Sequence, residues 1–130
     1  MIFHLNDLFK FCKCIESINF KKFFRKNITN MSCMFYGCSS LKELNLNNFN
    51  TNKVTDMRHM FSRCLSLKEL NLNNFNTINV TNMNRMFSGC SSLKELNLNN
   101  FNTNNATSMY GMFTGCSDEL KKKLKSNIRI

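Results

Sequence analysis

The chain has 130 residues, enough for one ordinary domain, and carries 18 Lys and Arg against 8 Asp and Glu, a net charge of +10. That balance favours anionic partners, while 0 Pro and only 4 Gly argue against a flexible linker. No stretch approaches the 18 or more apolar residues of a membrane-spanning helix, so no span is expected.

The N-terminal segment, MIFHLNDLFKFCKCIES, lacks the uninterrupted apolar core and small-residue cleavage site of a secretory leader. Lys10 and Phe11 before Cys12 also do not suit a lipoprotein cysteine. As written, the chain is expected in the cytoplasm; as a fragment of a longer exported protein it would be secreted or lie at the cell surface.

The sequence LKELNLNNFNT at Leu41–Thr51 returns unchanged at Leu67–Thr77 and at Leu93–Thr103, a step of 26 residues. A fixed period in this range marks a stacked repeat array. Sliding the frame back lays Leu5, Leu8, Phe9 and Cys12 on Met83, Met86, Phe87 and Cys90. The frame gives a divergent N-terminal unit (1–30), repeats at 31–56, 57–82 and 83–108, and a partial repeat with a C-terminal cap (109–130).

Two apolar periods alternate within each unit. Met57, Met60, Phe61 and Cys64 fall at i, i+3, i+4 and i+7, which predicts a short helix. Thr55 stands as its N-cap, a role repeated by Thr29, Thr81 and Thr107. Leu70-x-Leu72 alternates with period two and predicts a short strand, and Asn73, Asn74 and Asn76 carry the bend that follows. The fold expected is α/β: parallel strands on a concave side, short helices on a convex side, and the apolar ladders of successive units closing the core between them. After Cys116 the frame breaks, since Glu119 and Lys122 stand where leucines would recur. Ser117 is a cap, acids precede bases, and Leu120, Leu124 and Ile128 form a stripe, so a capping helix is expected here.

Five of the 7 cysteines (Cys12, Cys38, Cys64, Cys90 and Cys116) recur at the repeat step, which reads as one buried slot refilled in each unit. Serine at Cys64 is expected to leave a buried hydroxyl unpaired. Cys14 and Cys33 are extra, and without a C-x-x-C pair no zinc site is expected.

The pattern MF-x-x-C-x-x-L-x-x-L-x-L-x-x-F-x-T-x-x-V-T-x-M, carried almost completely from Met60 to Met83, resembles the BspA-type leucine-rich repeat in its 26-residue form. The resemblance covers about residues 5–116. It implies a leucine-rich-repeat solenoid of the kind found in bacterial surface proteins, used for adhesion and protein binding, with no shared catalytic residues.

On such a strand face the residues between the leucines meet solvent. They are Glu43, Asn45 and Asn47, then Glu69, Asn71 and Asn73, then Glu95, Asn97 and Asn99, with Ser17, Asn19 and Lys21 in the first unit. This strip is the candidate binding surface for a protein ligand. Glutamates about 5 Å apart repel by roughly 0.8 kcal/mol per neighbour in water, which Lys42, Lys68 and Lys94 are placed to offset. Repetition gives these carboxylates one common environment, whereas acid–base catalysis needs differing ones. His4 is terminal and His59 is expected on a solvated face. No catalytic, cofactor or metal motif is present, so a non-catalytic module is expected. Of the four N-x-S/T sequences, at Asn27, Asn30, Asn79 and Asn105, three fall at the threonine caps and an Asn-rich chain makes them by chance; glycosylation there would require export.

The basic residues gather in the first unit (Lys10, Lys13, Lys21, Lys22, Arg25, Lys26) and in the cap (Lys121, Lys122, Lys123, Lys125, Arg129). Phe20 and Phe23 already have core slots, leaving Phe24 free to stack. These ends predict weak, non-specific binding to nucleic acid or another anionic surface.

Overall fold

The computed structural model describes residues 1–125 and Ile128; Arg129 of the basic cap lies outside them. The strands are β1 (Phe3–His4), β2 (Ser17–Asn19), β3 (Ile28–Asn30), β4 (Glu43–Asn45), β5 (Glu69–Asn71) and β6 (Glu95–Asn97), followed by α1 (Asp118–Leu124). Among the described residues the strands associate in parallel pairs, β1–β3, β2–β4 and β5–β6, and no barrel closes. The repeat step fixes the register, Glu69 against Glu95, Leu70 against Leu96 and Asn71 against Asn97. A second line of parallel bridges joins Asn30 to Asp56, Asp56 to Asn82 and Asn82 to Ser108.

The expected short helices are absent; Met57–Cys64 and its equivalents are successive turns. Met60 N–H donates to Met57 O at 3.2 Å and Cys64 N–H to Phe61 O at 3.2 Å, each closing a four-residue turn. The third residue of each turn has positive φ, +54° at His59 and +60° at Arg63, which an α-helix does not accommodate. The alternate amides point out of the unit. Met57, His59, Phe61 and Arg63 donate to the carbonyls of Asn82, Asn84, Met86 and Ser88 at 3.0, 2.9, 2.9 and 2.7 Å. The segment thus satisfies its backbone partly through its neighbour, as a strand does, while placing apolar side chains inward at helix-like spacing. The threonines expected as helix caps instead tie units together: the Thr55 and Thr81 hydroxyls donate to Thr29 O and Thr55 O, both at 3.3 Å.

The left-handed positions recur with the repeat, one at Asp7, Cys33, His59, Arg85 and Gly111, the other at Phe11, Gly37, Arg63, Gly89 and Gly115. A side chain there costs about 1 kcal/mol or more. Arg63→Gly should therefore stabilise the protein by about 1 kcal/mol in urea unfolding, whereas glycine inside a helix would cost about that amount. Destabilisation by Arg63→Gly would contradict the turn geometry.

The core is built from ladders. Phe9, Phe35, Phe61, Phe87 and Phe113 stack in sequence with ring centroids 5.6, 5.7, 5.6 and 5.4 Å apart. Phe20, Phe23 and Phe49 form a second aromatic group, so Phe20 and Phe23 are packed as expected and Phe24 is exposed. Cys38, Cys64, Cys90 and Cys116 are buried free thiols, and Cys12 is half-buried. Their S–H groups also bond: Cys64 donates to Phe35 O at 3.3 Å and Cys90 to Phe61 O at 3.0 Å. Serine at Cys64 would consequently meet Phe35 O as a partner, which corrects the expectation of an orphaned hydroxyl. Buried Thr77 donates to Asn102 O at 3.0 Å and accepts the Asn102 N–H at 2.8 Å, as Thr51 does with Asn76.

At the C-terminal end, Ser117 caps α1 by accepting the Leu120 N–H, with Asp118 and Glu119 in the first turn. Leu120, Leu124 and Ile128 are buried, as the stripe predicts.

Candidate functional site

The backbone places the strip residues from four units on one face. Ser17 and Asn19 of β2, Glu43 and Asn45 of β4, Glu69 and Asn71 of β5, and Glu95 and Asn97 of β6 line one open groove of about 590 Å³. Of the nine residues expected there, Glu43, Glu69, Glu95, Asn45, Asn71 and Asn97 are brought together; Asn47, Asn73 and Asn99 lie in the turns beyond the strands, outside the groove lining.

The asparagines differ from the glutamates in what remains free. The Oδ1 of Asn45, Asn71 and Asn97 accepts the backbone N–H two residues on, at 3.0, 2.9 and 3.0 Å. These side chains close the turn that ends each strand, which leaves a ligand the Nδ2 group and the second lone pair of each Oδ1. Other asparagines clamp neighbouring units. Asn74 Nδ2 donates to the carbonyls of Leu46, Asn47 and Phe49 at 3.1, 3.1 and 3.2 Å, and Asn100 Nδ2 bonds Asn73 O. The Asn-richness of the chain is thereby accounted for largely by turn closure and stacking.

The charges of the groove are arranged differently from the sequence expectation. Lys42 pairs with Glu16 at 3.2 Å rather than offsetting Glu43. Lys123 of α1 reaches back to Glu95 at 2.9 Å, and its hydrogen bond to that carboxylate raises the Lys123 pKa. Lys123 therefore neutralises one end of the strip and is partly withdrawn from the basic cap. Glu43 and Glu69 have no cation within ion-pair distance among the described residues, and both are exposed. The groove is consequently acidic at its centre, in a protein of net charge +10.

A second cluster, on the turn face, was not legible as a motif. His59 is half-buried rather than fully solvated, its ring edge-on to Tyr36 with centroids 5.5 Å apart, and its Nδ1 is buried without a hydrogen-bond partner. Lys10 Nζ and the Arg63 guanidinium lie 5.8 and 5.9 Å from the Tyr36 ring centroid, and Arg85 stands 5.4 Å from that of Tyr110. Burial first, then the charges of Arg85, Arg58, Lys10 and Arg63, hold the His59 pKa below its usual value. Placing each unit 26 residues over the last puts Lys10 and Tyr36 in one column and His59 and Arg85 in another; that register was the available signal.

Among the described residues no three His, Cys, Asp or Glu side chains converge in a metal-binding arrangement, and no helix is long and apolar enough to cross a membrane. Neither the curated proteins nor the solved structures include a match to the chain. The family model described as "Mycoplasma protein of unknown function, DUF285" matches residues 3–127, nearly the whole chain, and the protein belongs to that family.

Proposed function

We propose that the chain is a non-catalytic protein-interaction module, built as a leucine-rich-repeat solenoid of the BspA-like kind, whose strand face receives a basic segment of a protein ligand. The observation that carries this reading is the groove itself: six strip residues from three copies of one 11-residue stretch line one surface with Ser17 and Asn19, and Glu43 and Glu69 form no ion pair there, since Lys42 of the lining is paired with Glu16. The resemblance of the repeat to adhesive surface proteins supports the same class of function and, in that form, a role at the cell surface.

Affinity through this face alone should be modest. Four strands about 4.8 Å apart span roughly 19 Å, and three residues run about 10 Å, giving a face of order 200 Å². A standard interface takes about 800 Å² from each partner. The groove lining also lacks Trp, Tyr and Arg, the residues that usually dominate binding energy. Tight binding would need several modules acting together.

The test is selection of peptides from a random library on the intact protein, with counter-selection on Glu43→Gln/Glu69→Gln. Lys- or Arg-rich peptides of micromolar affinity, weakened at least tenfold by the double change, are expected. Enrichment of peptides that bind both forms equally would reject the strand face as the site.

A further inference from the structure

We propose that the turn face is a binding site for single-stranded nucleic acid, with Arg63 and Arg85 gripping the phosphates and Phe11 and Tyr110 offering faces for the bases. This surface lies apart from the strand groove, and it is not one of the basic ends of the chain. Its geometry begins at Gly37. A Cβ there would fall 2.5 Å from Phe11 Cδ1, so the absence of a side chain lets the Phe11 ring lie against the turn backbone. Phe11 as a residue is 51% exposed, and its ring meets Tyr36 edge-on with centroids 5.1 Å apart, which holds it as a fixed platform. Tyr110, 72% exposed, stands in the fifth unit with Arg85 against its ring.

The units step by about 4.8 Å, so the row from Phe11 to Tyr110 covers about 19 Å, roughly five nucleotides at 3.4 Å each. Between the two platforms lie Tyr36, His59, Arg63 and Arg85. Lys10 and Arg58 are engaged with Asp7 and Asp56 at 3.5 and 3.6 Å, whereas Arg63 and Arg85 have no carboxylate partner among the described residues. Exposed rings interleaved with unpaired cations are the elements of sequence-tolerant single-strand recognition. A duplex hides its base faces and could use only the charges.

The two arginines permit a test that misfolding does not confound. Both have positive φ, +60° at Arg63 and +53° at Arg85, so Arg63→Gly/Arg85→Gly removes two charges while relieving the backbone. A dye-labelled 12-nucleotide single strand of mixed sequence is titrated by anisotropy across a salt series. The double glycine variant should bind at least tenfold more weakly, with the slope of log K against log salt shallower by about 1.4, two phosphates at about 0.7 each. Tyr110→Ala should weaken binding about fivefold and leave that slope unchanged, since stacking releases no counterions. Lys21→Gln/Lys22→Gln/Lys26→Gln, which removes three exposed charges from the loop after β2, should change affinity less than threefold. An equal or larger loss in that control, equal binding of a duplex of the same length, or tighter binding to phosphatidylglycerol vesicles than to the strand would overturn the proposal.

Discussion

Phe61→Ala should lower the free energy of unfolding by about 3–5 kcal/mol, a large part of the ~5–15 kcal/mol typical of a folded domain. Phe61 is fully buried at the centre of the five-ring stack, 5.7 Å from Phe35 and 5.6 Å from Phe87 with interplanar angles of 5° and 7°. Its removal takes away two aromatic contacts, worth about 0.5–1.5 kcal/mol each beyond burial, and opens a cavity that the hydrogen-bonded units on either side cannot collapse. Phe9→Ala should cost less, because Phe9 ends the stack and is only half-buried. Urea unfolding of both variants checks this. A smaller midpoint shift for Phe61→Ala than for Phe9→Ala would show that the stack is not the centre of the core.

Stability should also fall steeply above pH 9. Burial raises the pKa of the ladder thiols: Cys38 is pushed up to about 11, and Cys64 and Cys90 are raised further. In the unfolded chain each titrates near 8.5–9. Below pH 8 native and unfolded states both hold these protons, so pH changes nothing. Above pH 9 the unfolded chain releases them while the native ladder keeps them, and each fully buried cysteine costs about 1.4 kcal/mol of stability per pH unit. Cys64 and Cys90, both fully buried, should together contribute a slope of about 3 kcal/mol per unit that continues beyond pH 10. Urea unfolding at pH 8, 9, 10 and 10.5 under reductant measures it. Cys64→Ala/Cys90→Ala should be less stable at pH 8 yet lose stability less steeply, by that amount. Equal slopes in the two proteins would mean that the thiols ionise as readily in the native state as in the unfolded one. Thiol-reactive dyes should label native Cys64 slowly for the same reason.

The repeat step, the inward-facing residues and the capping helix follow from the sequence alone, because periodic burial leaves a periodic pattern. Leu72, Phe75, Met57, Met60 and Phe61 are all buried as their spacing requires. The spacing could not distinguish a helix from two successive turns. Both put residues i, i+3, i+4 and i+7 inward, and the choice depends on whether the His59 and Phe61 amides bond within the unit or to Asn84 and Met86 of the next. That is a tertiary decision: the neighbouring unit offers carbonyls at 2.9 Å, and positive φ at His59 and Arg63 is compensated by those bonds. The strip was legible by the period of two, but its chemistry was not. Asn71 and Asn74 look alike in sequence, yet one closes its own turn and the other clamps the preceding unit. Likewise the Lys123 side chain of α1 neutralises Glu95 across a separation of 28 residues that no local pattern encodes. The turn-face cluster was the least legible, since unlike residues fill its slots, Lys10 and Tyr36 one, His59 and Arg85 another and Arg63 a third, and they meet only when the units stack.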